Sequence, residues 1–234
     1  MSELFAIGTS ALIANQRILS TVGNNIANAN TDGYTRQRVT LAQRTPQYIG
    51  AGFLGKGVDI AQITRNADDF LTDNVRFGAS GQARAAAYAQ LAGQVDGLLS
   101  DGTFSPALQK FFDAIQNASN DPTSSAARQV LLTSANSLTD RFQDLHKRLG
   151  AIAQNVNDSL GAKVDQLNSL ATAVASMNRD IVQAYGISQG QPPNDLLDKR
   201  EVLLKQISQL VNVNVAPQSD GAVNVFIGNG QLLV

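Results

Sequence analysis

The sequence of 234 residues contains no cysteine, no tryptophan and a single histidine. The absence of cysteine excludes disulfides, thiolate metal ligands and a cysteine nucleophile. A Ser-His-Asp triad would have to use His146, and no nucleophile-elbow motif accompanies this residue. Because His146 lies within a long helical pattern, we expect it on a solvated helix face rather than at a metal or catalytic site.

Charged residues are also scarce, at 16% of the chain, and the formal net charge is −1. No basic surplus is available to attract nucleic acid or an anionic membrane. No apolar run approaches the length of a membrane span, and residues 1–5 lack the features of a cleavable secretory signal. We therefore expect no nucleic-acid partner, no membrane partner and no signal peptide.

Apolar periodicity predicts a mainly α fold. Residues 4–28 form an amphipathic pattern whose broad apolar face needs a partner. Helical patterns follow up to about residue 99, over 105–120 and over 194–211, with a loop at 100–103. The pattern from about 124 to 185 keeps its apolar residues at a spacing of about 3.6, the period of a straight helix. We predict an elongated helical bundle built around this long, near-straight helix.

Three helices begin at recognisable capping residues. The expected caps are Asn66 or Asp68 for the second helix, Ser105 ahead of Pro106 for the third, and Asn194 or Asp195 for the last. Gly78 and Gly81 make a break in the second helix plausible. We expect the charged cluster at 195–201 to be a solvated helix end with i,i+4 pairs, Asp195–Lys199 and Glu201–Lys205.

Two stretches have the alternation of strands. Residues 34–65 form an extended segment, and residues 211–234 form strands with a hairpin turn at Asp220-Gly221. For the arginines around the first stretch, Arg36, Arg38, Arg44 and Arg65, we expect subunit contact or simple solvation. Because the sequence stops inside the second stretch, we expect it to be the N-terminal part of a longer protein or a truncated form. The predicted domains are an axial helix (1–33), an extended/β linking segment (34–66), a helical rod (67–211) and the start of a β domain (212–234).

The glycine-rich loop at residues 50–57 is the strongest candidate for an enzyme site. It satisfies G-x-G-x-x-G and nearly satisfies the phosphate-loop pattern, but Gly57 replaces the hydroxyl residue that would hold magnesium. Both motifs need a helix N-terminus directly after the loop, whereas strand-like residues 58–60 follow here. We expect a flexible loop between two strands, with a nucleotide-binding enzyme as the alternative from another class. The prediction is that the chain is not an enzyme and has no catalytic, cofactor-binding or metal-binding residues.

Residues 24–36 read Asn-Asn-Ile-Ala-Asn-Ala-Asn-Thr-Asp-Gly-Tyr-Thr-Arg, where a helical pattern gives way to an extended one. Asn, Asp and Gly favour turns and tolerate φ > 0. The string closely resembles the N-terminal signature of the bacterial flagellar axial proteins, the family of rod, hook and hook-associated subunits. We expect Gly33 and Tyr34 to set the helix-to-strand corner. The matching positions, which the resemblance makes a candidate subunit interface, are Asn24, Asn25, Asn28, Asn30, Thr31, Gly33, Tyr34 and Arg36.

This resemblance implies an extracellular structural subunit of the bacterial flagellum, exported by the flagellar type III apparatus without a cleaved signal. The string Asp-Leu-Leu-Asp-Lys-Arg at residues 195–200, after a long helix, is similar to the matching segment in the hook-associated branch of the family. It implies a subunit at the junction between hook and filament, with a rod or hook subunit as the runner-up. The implied partners are identical copies in a ring, the hook protein, a second junction protein on the filament side and a cytoplasmic export chaperone.

Overall fold

The computed structural model describes residues 2–100, 102 and 104–234, which form five helices and seven strands. In chain order these are α1 (Ser2–Ala27), β1 (Gln37–Gln43), β2 (Gln47–Tyr48), β3 (Phe53–Leu54), β4 (Val58–Arg65), α2 (Asp69–Leu99), α3 (Phe104–Asn120), α4 (Ser125–Ile187), α5 (Asn194–Leu210), β5 (Val213–Pro217), β6 (Val223–Ile227) and β7 (Gln231–Leu232). This order confirms the predicted mainly α fold with an extended segment after the first helix and strands at the C-terminal end. Two residues of the predicted loop at 100–103, Asp101 and Thr103, lie outside the described residues.

The longest helix is α4, with 63 residues. Its bounds confirm the pattern predicted over about 124 to 185. Ser124 caps it, because its Oγ accepts a hydrogen bond from the backbone N–H of Ala127 at 3.2 Å. Residues of α4 belong to both of the two compact units into which the chain divides.

The second helix, α2, begins after Asp68, whose Oδ1 accepts a hydrogen bond from the backbone N–H of Leu71 at 3.1 Å. Of the two predicted caps, Asn66 and Asp68, the cap is therefore Asp68. The helix runs through Gly78 and Gly81 without the break that these glycines made plausible. Each glycine costs about 1 kcal/mol relative to alanine, which does not outweigh continued helix on both sides.

The predicted cap of α3 is wrong. The helix begins at Phe104, so Ser105 is its second residue and Pro106 its third. Proline lacks a backbone N–H, but the N–H groups of the first turn have no intrahelical partner in any case. The helix can therefore start ahead of Pro106 at no loss of a hydrogen bond.

The predicted caps of α5 are also wrong. Pro193 occupies the cap position and makes no side-chain capping bond. Asn194 Nδ2 instead donates to the carbonyl oxygen of Ile63 at 2.8 Å, and Asp195 Oδ1 accepts from Gln37 Nε2 at 2.9 Å. Tertiary contacts with the β segment have taken the side chains that local capping would have used.

The chain folds into two compact units. The first combines the chain up to Gly81 with Leu167–Val234, and the second comprises Gln82–Gln166. Inside the second unit, Phe104 and Phe142 meet edge to face with ring centroids 4.8 Å apart, and Ala114 is buried. All of residues 24–36 belong to the first unit, which therefore contains the candidate site.

The hydrophobic core of the first unit lies between two helices and a three-stranded antiparallel sheet. Strand β6 is central in the order β5–β6–β7, and the strands confirm the predicted hairpin, although β5 starts at Val213 rather than at residue 211. Each large aliphatic side chain buried in this core contributes about 1.5–3 kcal/mol. The buried cluster comprises Val174 from α4, Leu204 and Ile207 from α5, and Val223 and Val225 from β6.

The extended segment forms an antiparallel ribbon of β1 and β4, with a register shift between Thr40 and Leu41. The loop between them contains a second, shorter pairing of β2 with β3. Gly50 and Gly52 have φ values of +85° and +150° at its tip, which suits glycine. Strand β4 follows Gly57 directly, so this loop does not have the helix N-terminus that a phosphate loop requires.

Helix α1 packs on the ribbon through small and polar side chains. Ser10, Ala14 and Thr21 are buried, and Ser10 Oγ accepts a hydrogen bond from the backbone N–H of Val58 at 3.2 Å. The apolar face predicted to need a partner is exposed instead. Its heptad series comprises Phe5 (73% exposed), Leu12 (62%), Leu19 (70%) and Ile26 (72%).

The close contact between α1 and the ribbon explains the glycine at position 57. Gly57 has φ +91°, and a Cβ there would overlap Ser10 Oγ and lie 3.4 Å from Ile7 Cα. We expect Gly57→Ser, which would complete the phosphate-loop pattern, to lower the free energy of unfolding by about 1–3 kcal/mol. Urea unfolding followed by circular dichroism measures this. The matched control is Gly55→Ser, where the nearest atom to an added Cβ is Gln43 Nε2 at 3.9 Å; equal losses in the two variants would contradict the explanation.

Candidate functional site at the helix-to-strand corner

The corner begins where α1 ends and is closed by a series of short-range hydrogen bonds. The backbone N–H groups of Asn28, Thr31 and Tyr34 donate to the carbonyl oxygens of Asn24, Asn28 and Thr31 at 3.0, 2.9 and 3.2 Å. Asn28 also bonds through its side chain, donating to Asn24 Oδ1 at 3.0 Å and accepting from Thr31 Oγ1 at 3.2 Å. Four residues of the sequence signature therefore build the turn itself.

Asn25 joins the end of α1 to the start of β1. Its amide donates to the carbonyl oxygen of Gln37 and accepts from the N–H of Gln37, both at 2.9 Å. The side chain thus occupies the place of a neighbouring strand at the edge of the ribbon. Tyr34 adds a third bond, since its hydroxyl donates to Asn25 Oδ1 at 2.7 Å.

The Tyr34 hydroxyl also accepts from Asn24 Nδ2 at 3.2 Å. Burial raises the pKa of this phenol above its usual value, and the carboxylates of Asp195 and Asp198 raise it further. The phenol therefore keeps its proton and remains a donor to Asn25. Through these two bonds Tyr34 links the corner to the last turns of α1.

Gly33 is required at the corner for two reasons. Its φ is +77°, in the left-handed region that side chains disfavour. In addition, a Cβ at this position would overlap Val202 Cγ2 on α5. The expected positive φ is therefore present, together with a close approach of α5 that the sequence did not reveal.

Asp198 on α5 bonds the segment just before β1 and the last residue of β4. The residue is 5% exposed; its Oδ2 accepts from the backbone N–H of Thr35 at 2.8 Å, and its Oδ1 accepts from Arg65 Nη1 at 3.1 Å. Removing one partner of a buried ion pair typically costs about 3–5 kcal/mol, because the other charge is left uncompensated. This arrangement makes α5 the support of the corner.

The prediction of a solvated charged cluster at 195–201 is therefore wrong for Asp198 and Arg200, although Asp195 and Lys199 are exposed. Asp198 and Arg200 are buried, and the i,i+4 pairs expected for Asp195 and Glu201 are not among the ion pairs of the described residues. Asp195 bonds Gln37, and Glu201 pairs with the buried Arg76 of α2. Donors on other elements have taken the place of the lysines of the same helix, with which an exposed ion pair contributes little.

Arg200 ties α5 to the sheet. Its Nη1 donates to the carbonyl oxygen of Gly221 at 2.7 Å and to Asn178 Oδ1 at 3.2 Å. Burial lowers the pKa of this guanidinium. Asn178 in turn donates to the carbonyl oxygen of Val223 at 2.8 Å and accepts from its N–H at 3.2 Å. The helix that supports the corner is thus fixed to α4 and to β6.

The structure brings together six of the eight signature residues: Asn24, Asn25, Asn28, Thr31, Gly33 and Tyr34. The side chains of Asn30 and Arg36 are exposed and make no hydrogen bond or ion pair within the described part of the chain. Two of the flanking arginines also differ from expectation, since Arg44 pairs with Asp59 and Arg65 with Asp198 in the same chain.

Sequence reasoning missed the role of α5 and its partners at the corner; the residues concerned are Asn194, Asp198, Val202 and Arg65. The one available signal was the spacing of Asn194 and Asp198, which places both on one side of α5 beside its apolar residues. Among the residues described, no cluster of three or more His, Asp or Glu side chains is suited to hold a metal ion. None of their helices combines the length and apolarity needed to cross a bilayer.

A helix with an exposed apolar face, fixed by an asparagine-rich corner to a ribbon and a helical body, is typical of a structural protein that acts through contacts with other chains. The family model of the flagellar hook-associated protein FlgK helical domain matches residues 92–234, and that of the flagella basal body rod protein matches residues 5–35. The first match covers more than half of the chain. The chain belongs to the FlgK family of flagellar hook-associated proteins, which are structural components of the bacterial flagellum.

Curated relatives agree with this assignment. Flagellar hook-associated protein 1 of Salmonella typhimurium is 36% identical over 238 aligned residues, and that of Escherichia coli is 34% identical over 236, both covering the full chain. The Bacillus subtilis protein of the same name is 31% identical over 226 residues and covers 90% of the chain. The chain spans 43% of the length of each of these relatives.

We expect Gly33→Val to prevent assembly, because it forbids the positive φ and forces Val202 away from the corner. Filaments counted by electron microscopy in a strain carrying only this variant provide the measurement. Gly150→Val, in open space on α4, is the control. Gly33→Ala introduces the same overlap and strained φ and should lower the stability of the chain. Adding Val202→Ala should recover part of this loss, since it removes the overlap but not the strained φ. Normal filaments in the Gly33→Val strain would refute the role of the corner.

We expect Tyr34→Phe to lower the free energy of unfolding by about 0.5–1.5 kcal/mol, because Asn25 Oδ1 loses one of its two donors. Chemical denaturation of the purified chain measures the loss. Tyr88→Phe removes a hydroxyl from a side chain of a residue that is 76% exposed and serves as the matched control. A Tyr34→Phe variant as stable as the Tyr88→Phe variant would show that the hydrogen bond contributes nothing.

Proposed function

We propose that this chain is a structural subunit at the junction between the flagellar hook and the filament. The observation that carries the proposal is similarity along the full chain to flagellar hook-associated protein 1 of two bacteria, at 34–36% identity. The role of the subunit is mechanical rather than enzymatic. The competing assignment within the same organelle is a rod or hook subunit, which the short match over residues 5–35 also fits.

The exposed face of α1 supports a role in assembly. The large apolar side chains of this face are between 45% and 76% exposed, and they comprise Leu4, Phe5, Leu12, Ile13, Leu19, Val22 and Ile26. Each contributes about 1.5–3 kcal/mol when it is fully removed from water. Contiguous apolar surface of this extent marks an interaction site. The axial domain, residues 1–33, contains α1, which lines the inner tube and packs against neighbouring subunits.

The remaining domains form the outer layers of the same subunit. Residues 34–66 contact adjacent subunits, residues 67–211 form the helical rod of the next shell, and residues 212–234 begin a β domain. The signature residues of the corner set the direction in which α1 leaves the ribbon. Asn30 and Arg36, which have exposed side chains, are the members of the signature best placed to contact another subunit directly.

The partners follow from this position in the flagellum. Identical copies form a ring, with the hook protein on one side and a second junction protein on the filament side. The subunit is extracellular, and it reaches its place through a cytoplasmic export chaperone and the flagellar type III apparatus. It uses no cofactor, nucleic acid or membrane.

Electron microscopy of cells that lack the gene tests the junction role. We expect hooks without filaments, with flagellin shed into the medium, and restoration by the intact gene on a plasmid. Cells without hooks would assign the subunit to the rod or hook instead. Normal filaments on the deletion strain would overturn a role in the flagellum altogether.

A further inference from the structure

Arg200 is a buried cation that has no carboxylate partner. The residue is 8% exposed, and its Nη1 donates only to neutral acceptors, the carbonyl oxygen of Gly221 at 2.7 Å and Asn178 Oδ1 at 3.2 Å. It forms no ion pair within the part of the chain that the structure describes. Burial lowers the pKa of its guanidinium, and the positive charge of Arg65 lowers it further. A charge withdrawn from water in this way is costly unless an anion compensates it.

Two other arginines lie around this guanidinium, and both already have carboxylate partners. Arg65 pairs with Asp198. Arg76 pairs with both Asp73 and Glu201. The carboxylates that contact arginine in this region are therefore divided between these two residues, and the third arginine is left without one.

Two acidic residues of α2, Asp69 and Asp73, line the same cavity as Arg200. The side chain of Asp73 is 59% exposed, and Asp69 is exposed in the first turn of the helix, where the helix dipole favours a negative charge. Because solvent screens both charges, they compensate the buried guanidinium only weakly.

The unused N–H groups of Arg200 open on a cavity. A guanidinium has five N–H groups, of which Nη1 uses two here, so Nε–H and both N–H groups of Nη2 remain. Among the described residues, Asn194 Oδ1 is the one polar side-chain atom that lacks both a hydrogen-bond partner and access to solvent. The remaining N–H groups of Arg200 therefore reach solvent, and the residue lines a cavity of about 470 Å³.

Apolar side chains form another part of the cavity wall, with Leu204 from α5, Val215 from β5 and Ala222 from the hairpin turn. Sites for small molecules have volumes of about 300–1,000 Å³ and combine apolar walls with a few placed polar groups. Because Arg200 is itself buried, a ligand reaches it only through the cavity. Such a site suits a small molecule better than the surface of another chain.

We propose that this cavity binds a small organic acid whose carboxylate pairs with the Nε–Nη2 edge of Arg200. A carboxylate matches this edge with two parallel N–H···O bonds. Its single negative charge compensates the buried guanidinium, and the apolar body of the acid lies against the apolar part of the wall. A more highly charged anion such as phosphate is disfavoured, because Asp73 and Glu201 also line the cavity. The site is independent of the proposed role at the junction.

Titration of the purified full-length protein with sodium propionate, followed by saturation-transfer NMR, tests the site. Propionamide has nearly the same shape without the charge and is the matched control ligand. Sodium chloride keeps the ionic strength constant, so that screening is equal throughout. We expect propionate to bind with a dissociation constant of about 1–10 mM, as suits a ligand of so few atoms. Propionamide should bind at least roughly tenfold more weakly, because it does not compensate the charge.

Arg200→Lys keeps the positive charge but removes the planar edge, and it should weaken propionate binding roughly tenfold or more. Arg84→Lys, at an exposed position on α2, makes the same exchange outside the cavity and should leave binding unchanged. Circular dichroism establishes that each variant is folded. If Arg200→Lys does not fold, Ala222→Leu replaces it, because this change narrows the cavity and leaves the guanidinium in place.

The comparison of the two ligands uses the unaltered protein and therefore does not depend on the folding of a variant. No saturation transfer from the protein to propionate at about 100 mM would overturn the inference, since binding that weak has no significance. Equal binding of propionate and propionamide would overturn it as well, and so would full binding by a folded Arg200→Lys variant. None of these results bears on the junction role, which the deletion strain tests separately.

Discussion

The buried carboxylate of Asp198 joins segments of the first unit that are far apart in sequence. It bonds the backbone of Thr35, 163 residues away, and the guanidinium of Arg65, 133 residues away. Its own helix is fixed in the hydrophobic core through Leu204 and Ile207. Because the pair is withdrawn from water, its geometry is maintained by hydrogen bonds rather than by screened attraction between surface charges. Together with the bonds of Asn194 to Ile63 and of Asp195 to Gln37, this group joins the corner and the ribbon to α5.

Asparagine amides complete the backbone hydrogen bonding around this arrangement. Asn25 bonds both polar groups of Gln37, Asn178 bonds both of Val223, and Asn194 bonds the carbonyl oxygen of Ile63. An amide side chain has one acceptor and a donor group, as a peptide unit does, and can therefore take the place of a neighbouring strand. Free strand edges invite unintended pairing with other chains. Because the asparagine amides cover these positions, contacts with neighbouring chains are made by side chains, which can be specific.

The elements of the fold were predictable because their signals are local. Apolar spacing located α1 and α4, and the turn residues before Gly33 located the corner. The burial of Asp198 and the contact of Gly33 with Val202 were not predictable, since both depend on pairing between distant segments. The resemblance of residues 24–36 to a known signature found the family but did not separate Asn25, which bonds the ribbon, from Asn30, whose side chain is exposed. That distinction required the neighbours of each residue in space.

Helix α1 contacts the ribbon through Ser10, Ala14 and Thr21, while Phe5 and Leu19 on its other side stay in solvent. These apolar side chains therefore add little to the folding of the isolated subunit. If α1 packs against other subunits as proposed, mutations among these side chains change the fit between subunits with little effect on the fold of each one. Such a division allows this face to diverge with its partners, while the residues of the corner remain under the separate constraint of folding.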